Sequence, residues 1–111
     1  MQRIEIKREL GADVVTREHG EKLRTLIEER WKGSFVTVDF GGLQVNSVSF
    51  FDEAFGQLAL RYGEEELRRK VQYEGLDKFD QALVNDIISS RSREARKRAM
   101  SSQPRKRVAN S

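Results

Sequence analysis

The chain begins on a two-residue rhythm. In Arg3-Ile4-Glu5-Ile6-Lys7 charged and apolar residues alternate, which puts Ile4 and Ile6 on one face of a short strand. The period then lengthens. From Glu18 to Lys32 the apolar residues Leu23, Leu26, Ile27 and Trp31 recur at helical spacing, with Thr16 placed to cap the helix start and Gly33 its end. Phe35 to Phe40 is a nearly continuous β-favouring run, the pattern of a strand covered on both faces, and it predicts the centre of a sheet. Gly41-Gly42 breaks that run. Beyond a short segment over 43–48, Phe51, Ala54, Phe55, Leu58 and Tyr62 predict a second helix ending at Gly63, and Glu64 to Arg69 a further helical turn. A third strand over Lys70 to Glu74 closes at Gly75. Leu76, Phe79, Leu83, Val84, Ile87 and Ile88 then mark a third helix.

Strands that alternate with helices need crossover connections. The expected architecture is therefore a small α/β fold in βαβαβα order, a sheet of mostly parallel strands with three helices and right-handed crossovers. An antiparallel edge strand is compatible with it. After Ile88 the apolar stripe ends and a polar, basic stretch follows, with too little apolar surface to offset the entropy of ordering. The expected organisation is a folded domain over 1–92 and a basic tail over 93–111, with the helix running on to about Met100 and disorder beyond.

Length and charge refine this picture. A chain of 111 residues fits one domain. It buries only roughly two thirds of its unfolded surface, which leaves little stability in reserve for a deep, strained catalytic cavity. With no cysteine there is no disulfide framework and no thiolate chemistry, which suits a reducing compartment. No apolar run approaches the ~20 residues needed to cross a bilayer, and the first ten residues do not read as a signal peptide, so a cytoplasmic protein is expected. The net charge of +3 conceals a division. Residues 91–111 hold eight of the 21 Lys and Arg and one of the 18 Asp and Glu; residues 1–90 hold the other 13 and 17, a split of +7 against −4. The body is mildly acidic and the tail strongly basic.

In an open α/β sheet the ligand-facing edge lies beyond the carboxyl ends of the strands. For the central strand that edge is Gly41 to Glu53. There Ser49-Phe50-Phe51-Asp52 fits a capping signature, with Ser49 accepting from an early amide, Asp52 returning the bond, and Asp52 and Glu53 favourably set against the helix dipole. Phe50 is either core or the apolar centre of an interface, because Phe51, Phe55 and Leu58 already supply a buried stripe.

Val38-Asp39-Phe40, a short link, and then Asn46-Ser47-Val48-Ser49-Phe50-Phe51-Asp52-Glu53 resemble the DF…S-x-SF-x-DE pattern of the STAS-like domain family (DUF4325). The Thr16-Arg17 helix start with Leu23 and Leu26, the helix end over Leu58 to Tyr62, and the late Arg91 agree, so the resemblance covers about residues 3–92. It implies a relative of anti-sigma factor antagonists, which switch partners by binding a histidine-kinase-like ATPase of the GHKL type that phosphorylates a serine at the start of the second helix. The antagonists' Asp-Ser pair falls on Asn46-Ser47, so Ser47 is one candidate phosphosite and Ser49 the other. A phosphate there adds about −1.5 to −2 of charge beside Asp52 and Glu53, repelling a partner matched to the bare site, while the helix N-terminus offsets part of that cost. The implied function is a regulatory, non-enzymatic protein-interaction module. Its expected partner-binding residues are Asn46, Ser47, Ser49, Phe50, Asp52 and Glu53.

The pattern offers little to a catalyst. Gly41-Gly42 lacks the spacing of a phosphate loop, and no G-x-G-x-x-G follows a strand. With one histidine, His19, read as a solvated surface residue, and no cysteine, neither a metal nor a cofactor is expected. Asp39 and Asp52 form an acid–base pair only if folding brings them together. The alternative function is nucleic-acid binding through the tail, where Arg91, Arg93, Arg96, Lys97, Arg98, Arg105, Lys106 and Arg107 could neutralise phosphates without sequence preference. The tail has no aromatic residue to stack on bases, and such a tail also reads as a solubilising extension or a tether to an acidic partner.

Overall fold

The computed structural model describes residues 2–11 and 16–109, and side chains as far as Ala99. Strands β1 (Gln2–Glu5), β2 (Val36–Asp39) and β3 (Val71–Glu74) form one sheet in that spatial order, and both pairings are parallel. The described strands include no antiparallel edge. The run over Phe35 to Phe40 does occupy the sheet centre, although Phe35 itself lies outside the strand and is exposed.

Among the described residues five helices, not three, accompany the sheet. They are α1 (Ile6–Leu10), α2 (Arg17–Arg30), α3 over 48–62, α4 (Glu64–Lys70) and α5 (Lys78–Ala109). Helix α3 starts as Val48–Phe51, widens into a π-helical turn over Asp52–Gly56 and finishes as Gln57–Tyr62. The two extra helices are short. In particular, β1 ends at Glu5, and Ile6 reaches the core as the first residue of α1 rather than by strand alternation. The N-cap of α2 is Thr16 as expected. His19 completes it: Thr16 Oγ1 accepts from the His19 amide at 3.3 Å, and His19 Nδ1 accepts from the Thr16 amide at 3.1 Å. His19 is therefore a half-buried capping partner and not a freely solvated side chain.

Register explains why the sheet has an apolar and a polar face. Ile4, Val38 and Tyr73 are neighbours across the strands, as are Arg3, Thr37 and Gln72. Ile4, Val36 and Val38 are fully buried. On the other face Arg3 donates to Asp39 at 2.9 Å and pairs with Glu74, and these polar side chains reach solvent, leaving Thr37 buried between them. The near-continuous apolar character of β2 had suggested cover on both faces. Flanking side chains bury Thr37 instead.

The core centres on α3. Phe40, Phe50, Phe51 and Phe55 are packed edge to face or tilted, with centroids 5.6–6.4 Å apart. Each such ring contributes about 1.5–3 kcal/mol of transfer free energy. α2 can approach α3 closely because position 20 is glycine: a Cβ there would stand 2.6 Å from the Phe50 carbonyl oxygen and 2.9 Å from Glu53 Cβ. α5 is the longest element. It is helical from Lys78 through Ala109, so positions 92 and 93 both lie within it. The Glu94–Arg98 pair, four residues apart on one face, supports the helix up to Met100.

Candidate docking surface at the start of helix α3

The carboxyl edge of the sheet is tied together before α3 begins. Phe40 donates its amide to the Glu74 carbonyl at 2.9 Å and Gly42 to the Gly75 carbonyl at 3.0 Å. Gly75 has φ +79°, and a Cβ on it would lie 2.7 Å from the Gly41 nitrogen, so this crossing of two chains requires glycine. Lys7 Nζ donates to the Gly41 carbonyl at 3.2 Å, and Asp39 Oδ1 accepts from the Gly41 amide at 2.8 Å.

The loop leading into α3 is fastened from inside by Asp80, whose side chain is almost fully buried. Its Oδ2 accepts from the Val45 amide at 2.8 Å and its Oδ1 from the Asn46 amide at 2.9 Å. Two charge-assisted bonds on one carboxylate satisfy a group that would otherwise be costly to bury. Asp80 is itself placed by Asp77, whose Oδ1 accepts the Asp80 amide at 2.8 Å. Asn46 then turns the chain at φ +44°; it is the non-glycine residue with positive φ among the described residues. Asparagine tolerates that region better than most side chains.

The helix cap is Ser47. Its Oγ accepts from the Phe50 amide at 3.2 Å and lies 3.3 Å from Ser49 Oγ. The expected cap, Ser49 with Asp52 returning the bond, is corrected: the helix starts two residues earlier, because Asp80 holds the loop amides and leaves Ser47 in the extended conformation a cap requires.

Asp52 and Glu53 turn away from that cap and toward opposite helices. Asp52 makes a two-pronged pair with Arg91 of α5, Nε to Oδ1 at 2.7 Å and Nη2 to Oδ2 at 2.8 Å. Glu53 accepts from Arg24 of α2 at 3.2 Å and lies 3.6 Å from Arg17, while Arg24 also donates to the Glu53 carbonyl at 2.6 Å. The hydrogen bonds from Arg91 hold the Asp52 carboxyl below its usual range, against the opposing effect of partial burial. The Arg91 guanidinium is raised by Asp52 first and by Glu94 next. Gly56, the last residue of the π-helical turn, leaves room for the Asp52 carboxylate, since a Cβ there would overlap it and approach Ile87 to 3.0 Å. Asp52 and Glu53, expected as partner contacts, are thus engaged within the fold.

Phe50 is corrected as well. It is fully buried, so it belongs to the core and not to a contact surface. The position that does reach solvent is Val48, 60 % exposed, with Asn46 exposed before it and Ser47 and Ser49 half-buried on either side. A second exposed apolar residue is Phe79, 62 % exposed, which precedes Asp80, the residue bonded to the Asn46 amide. Phe79 had been counted in the buried stripe of the third helix. Asp80 takes the inward position because its carboxylate serves the loop, and the adjacent Phe79 points out.

Asp39 and Asp52 have separate partners, Arg3 and the Gly41 amide for one and Arg91 for the other, so the conditional acid–base pair has no geometric support. Among the described residues no cluster of three or more His, Asp and Glu could hold a metal ion, and no helix is long and apolar enough to cross a membrane. Of the tail residues, Arg91 is committed to Asp52 and Glu94, and Arg98 to Glu94 at 2.7 Å. Arg93, Arg96 and Lys97 lie on α5 in exposed positions. The side chains of Arg105, Lys106 and Arg107 are outside the described residues.

A three-stranded parallel sheet with a capped helix start at the carboxyl edge of its central strand defines a small α/β domain. The chain belongs to the family described as STAS-like domain of unknown function (DUF4325), whose profile matches residues 19–81. No curated protein matches the chain, and no solved structure does.

Proposed function

We propose that this domain is a non-enzymatic regulatory module that docks a protein partner through Asn46, Ser47, Val48 and Ser49, with Phe79 extending the contact. The observation that carries this reading is Val48, an apolar side chain 60 % exposed on a helix start that Asp80 fastens from within. A surface fixed before binding loses little entropy on docking, and an apolar centre with a polar rim is the usual anatomy of a protein interface.

By likeness to anti-sigma factor antagonists, the partner is a histidine-kinase-like ATPase and the modified residue a serine at this helix start. Of the two candidates Ser47 is favoured. As the N-cap it already faces the Phe50 amide, so a phosphate on it would sit where helix amides converge. Asp52 and Glu53 are each matched by arginines, so repulsion from them is weaker than their sequence position suggests, and the new charge would act chiefly on the partner. The test is capture of partners on the full chain with and without ATP, reading partner and phosphosite together by mass spectrometry. Capture that Val48→Asp and Ser47→Glu abolish while both variants stay folded supports the reading. Capture indifferent to both would overturn it.

A further inference from the structure

Helix α5 carries charge that the docking surface does not use. The radius of gyration of 15.8 Å exceeds the roughly 13 Å of a compact chain this long, and the longest extent is 57 Å, because the far part of α5 reaches beyond the body. Five cations lie along its described portion between 91 and 98. Two are spent within the protein, Arg91 on Asp52 and Glu94, and Arg98 on Glu94. The other three differ. Among the described residues Arg93 and Arg96 donate only to the hydroxyls of Ser90 and Ser92, at 3.3 Å each, and Lys97 has no carboxylate partner.

Helical geometry collects these three. At about 100° per residue, positions 93, 96 and 97 fall within a sector of about 100°, turned away from the buried Val84 and Ile88. Arg96 sits at the margin of that sector nearest the body, where its charge adds, after Arg68, to the lowering of the Glu64 carboxyl. The arrangement is a cationic stripe on a projecting helix.

We propose that this stripe binds the phosphate backbone of duplex DNA without sequence preference. A membrane is the poorer fit: an interfacial helix needs a broad apolar face with Leu, Phe or Trp, and residues 91–109 contain none of these. A single strand is also the poorer fit, since the same stretch has no aromatic ring on which bases could stack. A group of side-chain cations on one helix face, with a rise of about 6 Å between positions 93 and 97, suits instead a polyanion with a phosphate every ~3.4 Å along each strand.

The measurement is fluorescence anisotropy of a labelled random-sequence DNA duplex titrated with the full chain from 50 to 200 mM salt. Each phosphate neutralised steepens the plot of log affinity against log salt by about 0.9. The combined variant Arg93→Gln, Arg96→Gln, Lys97→Gln should flatten that slope by about 2.7, so that the wild type loses about 40-fold more affinity than the variant over this range. Arg98→Gln, whose arginine is already matched by Glu94, should change it by less than one contact. Val48→Asp should leave it unaltered, which separates this proposal from the docking surface. Absence of duplex binding at 50 mM salt, an unchanged slope in the triple variant, tighter binding to an equal-length single strand, or binding only to anionic phosphatidylserine vesicles would each overturn it.

Discussion

Replacing Asp80 by alanine should loosen the α3 start without touching its surface. Asp80 is 1 % exposed, and its carboxylate is the acceptor for the amides of Val45 and Asn46 at 2.8 and 2.9 Å. A hydrogen bond to a charged group is worth about 1.5–3 kcal/mol, and an amide left unpaired in the interior loses its full desolvation cost. The Val45 amide is in the buried environment and should forfeit about 2 kcal/mol. Water can reach the exposed Asn46, so its share should be nearer 1 kcal/mol. Loss of a carboxylate in the first turn of α5 adds about 0.5 kcal/mol. The sum, about 3.5 kcal/mol, corresponds to a fall in urea midpoint of about 1.7 M for a denaturant slope near 2 kcal/mol/M. Trp31, 7 % exposed, reports unfolding by fluorescence. Asp80→Asn retains one acceptor oxygen and should lose about half as much. A midpoint for Asp80→Ala within 0.3 M or so of wild type, about 0.6 kcal/mol, would refute the claim that this carboxylate holds the loop.

Further expectations concern the clamps and the core. Phe50→Ala should cost about 3–5 kcal/mol in urea unfolding, a core deletion rather than a surface change, whereas Val48→Asp should stay within about 0.5 kcal/mol of wild type. Gly20→Ala should destabilise by about 1–3 kcal/mol even though alanine favours helices, because the methyl group meets the Phe50 backbone. The Asp52 carboxyl titrates below its unfolded value of about 3.9, so its contribution is complete above that pH and fades as the pH falls through the folded value. Thermal melts should accordingly show Asp52→Asn less stable than wild type near pH 6, with the gap closing toward pH 2. A gap that stays constant across that range would mean that the pairing with Arg91 adds nothing.

Much of the architecture was legible because periodicity is a property of local sequence. The period-two start, the helical spacing of Leu23, Leu26 and Ile27 and the β-favouring run before Gly41 each found their element. What sequence could not supply was the partner of each polar residue. Ser49 and Asp52 match a capping signature as well as Ser47 and Phe50 match the observed cap, and only the contact with Asp80, 34 residues beyond Asn46, decides between them. The same holds for Asp52 and Arg91, separated by 39 positions. Phe50 was ambiguous because α3 is buried from two sides, by α2 at Gly20 and by α5 at Ile87, so a single apolar stripe understates its core face. Phe79 sat at helical spacing with Leu83 and Ile87, and nothing local shows that Asp80 turns inward in its place.

The docking claim is tested most directly by placing a photo-crosslinking amino acid at Val48, and in separate proteins at Phe79 and at Gln72 on the polar sheet face, followed by irradiation in the native cell and mass spectrometry of the adducts. The expected result is one shared partner from positions 48 and 79, lost when Ser47 is changed to Glu, and none of it from position 72. Adducts that are absent at 48, or that are the same from 48 and 72, would contradict a contact surface at the start of α3.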